Sequence, residues 1–162
     1  MTAASQRPKL TNGSAANANA TPHEAGFDWT RSGVLENHMA KEALRYLQNA
    51  REILRNAPIE DDIYVDVKPV REALGAAYLA VLEAINESLL KRGVSKKDLP
   101  KSVEGYRKAL QKYLAARNGK LLREFESLYD ALHIAGYYRG LLYDANMVKD
   151  ALRAARVFIE KV

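Results

Sequence analysis

The stretch VKPVREALGAAYLAVLEAINESLLKRG, residues 67–93, decides the fold. Leu74, Ala77, Val81, Ile85 and Leu89 recur every three or four positions, the period of one helical face, and no alternation of period two competes with it. Pro69 suits a first turn, where a missing N–H costs nothing, and Gly93 supplies a stop. A long helix is therefore expected over Val67–Arg92, and its apolar stripe has to be covered by other helices.

The same period recurs on both sides of this segment. A first helix is expected over Ala40–Asn56, with Ala43, Leu47, Ala50 and Leu54 on one stripe and Pro58 beyond its end. Ser102 is placed to cap a third helix, residues 102–116, whose buried face is Val103, Tyr106, Leu110, Tyr113 and Leu114. Asn118 and Gly119 break it. A fourth helix carries Leu121, Phe125, Leu128, Leu132 and Ala135 and is expected to end between Gly140 and Asp144. A fifth, from Ala145, shows Val148, Ala151, Leu152, Ala155 and Ile159. The expected fold is all-α, an up-and-down bundle of about five helices.

The chain has 162 residues, which suits one core rather than two. The composition, 48% hydrophobic and 28% charged, is that of a globular protein, and no continuous apolar run reaches the ~18 residues of a membrane span. There is no cysteine, which excludes a disulfide framework, a thiolate metal site and a thiol nucleophile. With no secretory signal pattern, a soluble cytoplasmic protein without a membrane partner is expected. Residues 1–38, centred on TNGSAANANATP, lack an apolar period and are expected to be a disordered leader, either an extension ahead of a natural start at Met39 or a genuine flexible tail, with 39–162 as the single domain. The formal charge is +5. Residues 1–38 balance three basic side chains (Arg7, Lys9, Arg31) against three acidic ones (Glu24, Asp28, Glu36), so the whole excess lies in the domain. Such an excess attracts phosphate, or is simply a solvated surface with acids interleaved.

Metal chemistry finds little support. Of three histidines, His23 and His38 lie in the leader, leaving His133 alone in the domain, and one histidine without cysteine does not make a zinc site. The acidic run IEDDIYVD (Glu60, Asp61, Asp62, Asp66) lacks the ligand spacing and turn glycine of a calcium loop, and reads as a solvated connection beside a helix start. No metal and no cofactor are expected.

The chemistry-bearing stretch is ALHIAGYYRG, residues 131–140. On a continuous helix His133 and Tyr137 stack at i and i+4, with Arg139 roughly 120° further round the axis. A general acid and a cation near a phosphate are the minimum equipment for metal-free RNA cleavage. The other reading is a packing seam, with rings stacked, Arg139 paired to an acid such as Asp144, and Gly136 and Gly140 admitting a neighbouring helix.

The order of parts resembles the HEPN superfamily of small helical bundles: EALRYLQNAREIL as a first helix, REALGAAYLAVLEAINESLLKRGV as a long second, then tyrosines followed by VKDALRAARVFIEKV. EALRYLQNA, AYLAVLEAIN and ALHIAGYYRG are more specifically similar to a bacterial family of single-domain proteins of unknown function. The HEPN resemblance implies a dimer, a nucleotidyltransferase or antitoxin partner and, in active members, a metal-independent ribonuclease toxin whose arginine precedes its histidine by four to six residues. Here the order is reversed, His133 coming before Arg139. A non-catalytic, self-associating binding module is therefore expected, with RNA or nucleotide phosphate as a weak ligand. All nine tyrosines follow Met39, and Tyr137, Tyr138 and Tyr143 mark the expected contact surface, since tyrosine suits a surface dry on one side and wet on the other.

Overall fold

The computed structural model describes the backbone of residues 29–114 and 119–162, with side chains from Glu42 onward within those ranges. Most of the leader expected to be disordered lies outside the described residues. Among the described residues the chain forms five α-helices: α1 Trp29–Arg55, α2 Val67–Lys91, α3 Val103–Ala109, α4 Lys120–Leu128 and α5 Ala145–Lys161. Two of them continue with wider winding, α3 through Leu110–Leu114 and α4 through Tyr129–Tyr138, both π-helical. The expected all-α bundle is the observed architecture. α1 begins well before Ala40; once nucleated, a helix extends by one hydrogen bond per residue without a second nucleation cost.

α2 is the central helix, packed on α1, on α5 and on the π-helical continuation of α4. Leu74, Ala77, Val81, Ile85 and Leu89, the expected stripe, are fully buried. A second stripe, Val70, Ala73, Ala80 and Ala84, is buried as well. By length and composition α2 could cross a bilayer, although its longest unbroken apolar run is only Ala73–Leu82; here most of its apolar surface is taken up by the bundle core. At roughly 1.5–3 kcal/mol for each fully buried large aliphatic side chain, this one helix anchors the fold. Phe125 of α4 and Phe158 of α5 meet in the core, with ring centroids 6.5 Å apart. Phe158 sits one position before the expected Ile159, which is only half-buried.

The caps follow sequence logic. Asp66 Oδ1 accepts from Lys68 N at 2.9 Å to open α2, Ser102 Oγ from Gly105 N at 3.2 Å to open α3, and Asp144 Oδ1 from Met147 N at 2.9 Å to open α5. Gly93, at φ +85°, follows the end of α2.

Two expectations are corrected. The acidic run is a two-residue hairpin, β1 (Ile59–Glu60) against β2 (Ile63–Tyr64), rather than an irregular connection. Asp61 and Asp62 form its turn at φ +46° and +63°, a left-handed conformation that aspartate tolerates and that matches strand twist. Tyr113, expected in the core, is exposed, because the wider winding from Leu110 turns it outward and leaves its ring 4.8 Å from the Lys112 ammonium.

Candidate functional site

The site is built by the π-helical continuation of α4. Wider winding than 3.6 residues per turn brings residues four apart almost directly above one another. Tyr129, His133 and Tyr137 form a column, with ring centroids 5.4 and 5.8 Å apart and planes inclined by 27° and 22°. From α2, Tyr78 stacks on His133 at 4.8 Å and leans on Tyr129 at 5.9 Å. His133 is therefore walled by three phenol rings, and among the described residues its side chain makes ring contacts but no hydrogen bond. Burial pushes the Tyr78 phenol up to about 12, helped by Tyr129 and Tyr106, so it stays neutral.

Glycines set how closely the segment approaches α2. A Cβ on Gly136 would overlap Leu74 Cδ1 and come within 3.1 Å of Leu74 Cβ. A Cβ on Gly75 would come within 2.9 Å of Tyr137 Cδ2, so the tyrosine ring lies over bare backbone. The column is tied down at both ends. Arg107 clamps Glu126 with two hydrogen bonds of 2.7 and 2.9 Å while its guanidinium sits 5.5 Å from the Tyr129 ring centroid. Those hydrogen bonds hold the Glu126 carboxyl below its ordinary value. At the other end Arg71 of α2 donates to the carbonyls of Tyr137 at 2.8 Å and Tyr138 at 3.2 Å, satisfying acceptors that the ending helix leaves open.

The reversal that follows is a widened Schellman motif. Gly140, at φ +64°, donates to Gly136 O at 3.1 Å, and Leu141 N donates to Ala135 O at 2.8 Å. Each bond spans one residue more than in an α-helical ending, as π winding requires. The chain then joins the hairpin: Tyr64 N donates to Tyr143 O at 2.9 Å and Ala145 N to Asp62 O at 2.8 Å.

Arg139 lies apart from the histidine. It lines an open hollow of about 590 Å³ with Lys68, Arg71, Glu72 and Tyr137, which His133 does not line. Its side chain makes no ion pair among the described residues, so the expected partnership with Asp144 is absent; that carboxylate caps α5 instead. Tyr137 borders both the ring column and the hollow. Tyr138 and Tyr143 face outward, 69% and 47% exposed, with Leu141 at 59% between them. A larger hollow of about 850 Å³, lined by Leu128, Met147, Val157 and Phe158 between α4 and α5, is mostly apolar and includes none of the expected site residues. No three His, Asp or Glu side chains converge as metal ligands among the described residues.

Sequence reasoning missed Tyr78, Tyr129, Arg71 and the Arg107–Glu126 clamp. The spacing 129, 133, 137 was a legible signal for one of them, whereas the other partners come from distant helices. It also missed Glu87, 5% exposed on α2, whose Oε1 has no hydrogen-bond partner. Burial pushes this carboxyl up to about 7, with Glu83 and Glu42 adding to the rise while the Ala43 backbone and Lys91 oppose it. Its place on the stripe of Ala80 and Ala84 is the sign that was there to read.

With this geometry in place, comparison with known proteins gives one family. Residues 38–162 match the family described as Domain of unknown function (DUF5618). The chain belongs to that family. It is also similar to a solved protein of unknown function from Dyadobacter fermentans, with 32% sequence identity and a TM-score of 0.63, over 77% of this chain and 92% of that one. No curated protein matches it.

Proposed function

We propose that this DUF5618 protein is a non-catalytic module that self-associates through the exposed apolar surface at the α4–α5 junction and binds phosphate-bearing ligands. The observation that carries the reading is the combination of exposed apolar side chains with a pinned backbone. Ile63 and Val65 point outward on either side of buried Tyr64, and Leu141 and Tyr143 on either side of buried Leu142. The two segments are joined by hydrogen bonds, and Tyr137 and Tyr138 are held by Arg71. Large apolar side chains gathered on rigid backbone mark an interaction surface, because little ordering entropy remains to be lost on contact. A second copy is the simplest occupant, since a two-fold axis lets one patch cover itself. The His133 column supports the same reading: its ring is used for stacking, and it does not line the basic hollow that holds Arg139.

The order of helices favours a HEPN-like bundle, and a nucleotidyltransferase or antitoxin as a further partner is part of that proposal. The test is light scattering on the parent and on Tyr138→Glu/Leu141→Glu. The parent is expected as a dimer and the variant as a folded monomer; a dimer in both places the contact elsewhere and overturns the assignment. RNA cleavage in EDTA, lost in both His133→Ala and Arg139→Ala, would overturn the non-catalytic part and make the protein a ribonuclease.

A further inference from the structure

A second basic surface lies between α1 and α5, away from the histidine column. Arg51 and Arg55 occupy positions i and i+4 on α1, and Lys149, Arg153 and Arg156 occupy i, i+4 and i+7 on α5, so each set forms one edge of its helix. The two edges border one hollow of about 500 Å³, whose apolar floor is Leu54, Leu152 and Tyr64. No acidic residue lines it. Arg51, Arg55 and Lys149 make no ion pair among the described residues. Arg153 and Arg156 are bridged to Asp150 at 2.6 Å and Glu160 at 2.8 Å, exposed pairs within one helix that contribute little and that a phosphate would compete for. A second hollow continues the crevice, sharing Arg51 and Arg156 and adding Arg45 and Gln48. From Arg45 to Arg55 the α1 edge runs roughly 15 Å at the α-helical rise.

We infer that this α1–α5 crevice is a phosphate-binding site for a nucleotide or a single nucleic-acid strand, with the guanidinium groups taking phosphate and the apolar floor taking the ligand's flat body. It rests on the binding-module reading but not on self-association. Four of the five cations around the main hollow are arginines, whose planar fork matches phosphate oxygens, and the volume falls within the usual range of ligand pockets. The length of the stripe favours a strand over a single nucleotide, since stacked phosphates repeat about every 3.4 Å along the axis.

The test measures fluorescence anisotropy of a short labelled single-stranded RNA with the full chain, with unlabelled RNA, ATP and poly-glutamate as competitors. Arg51→Ala/Arg55→Ala/Lys149→Ala removes the three unpaired cations. Lys96→Ala/Lys97→Ala/Lys101→Ala removes the same charge from the α2–α3 connection and serves as the control. The crevice variant is expected to bind RNA roughly 10- to 100-fold more weakly and the control nearly as well as the parent, with log K falling against log salt at a slope of about −2 to −3.5 for three to five phosphate contacts. Displacement by ATP assigns the site to nucleotides, and displacement by RNA alone assigns it to a strand; either supports the proposal. No binding by the parent, an equal loss in the control, or poly-glutamate competing as well as RNA would overturn it. Light scattering on the same samples separates this result from self-association.

Discussion

Replacing Gly136 with alanine sets two opposite effects against each other. In an exposed helix interior the change gains about 1 kcal/mol, because glycine loses more backbone freedom on folding. Here the added methyl would overlap Leu74 Cδ1 and stand 3.1 Å from Leu74 Cβ, and Leu74 is fully buried. Overpacking of this kind costs ~1–3 kcal/mol; Leu74 Cδ1 can shift, but Leu74 Cβ is fixed to the α2 backbone and the Ala131 carbonyl oxygen stands 3.0 Å from the added methyl, so the upper half of that range applies. The net expectation is a loss of about 1–2 kcal/mol, or roughly 4–8 °C in Tm for a domain of this size. Differential scanning calorimetry measures it, and near-ultraviolet circular dichroism should change with it, since the tyrosine–histidine column rides on the displaced segment. Adding Leu74→Ala should reveal favourable coupling of about 1 kcal/mol or more, the new methyl occupying part of the cavity. A Tm that stays level or rises in Gly136→Ala would show that propensity wins and that the segment does not press on α2 as described.

Other substitutions probe neighbouring parts of the account. His133→Phe keeps a stacking ring between Tyr78, Tyr129 and Tyr137 and should cost under ~1 kcal/mol, whereas His133→Ala leaves a gap and should cost ~2 kcal/mol or more; equal losses in thermal melts would deny the ring its packing role. Arg71→Ala uncovers the Tyr137 and Tyr138 carbonyls, and faster amide exchange at Gly140 and Leu141 is expected, with exchange unchanged if the clamp is idle. Glu87 has its folded carboxyl raised from 4.5 to about 7, so between those values the folded chain holds a proton that the unfolded chain releases. Stability should therefore fall as pH rises through that window and level off above it, and Glu87→Gln should flatten the dependence and raise Tm at pH 8; an unchanged pH profile would refute this.

Much of the fold was legible because helices carry their period in one dimension. The α2 stripe and the caps at Ser102 and Gly93 needed no tertiary knowledge. The hairpin was hidden by its brevity: two residues per strand give no alternation to read, and its Asp-Asp turn looked like an acidic cluster. π winding was hidden for another reason, since nothing local in YDALHIAGYY distinguishes five-residue from four-residue spacing before α2 presses against Gly136. That shift governs the candidate site. It aligned Tyr129 with His133 and Tyr137, while Arg139 fell at the helix end beside Arg71 and Lys68. The ring column was half-visible in the spacing; Tyr78 and Arg107, brought in from other helices, were not.

Sedimentation equilibrium on the parent chain at micromolar concentrations asks whether the pinned apolar surface pairs with a second copy. A mass of twice 18.1 kDa is expected, reverting to 18.1 kDa in Tyr138→Glu/Leu141→Glu. A parent that sediments at 18.1 kDa across the whole concentration range would contradict it.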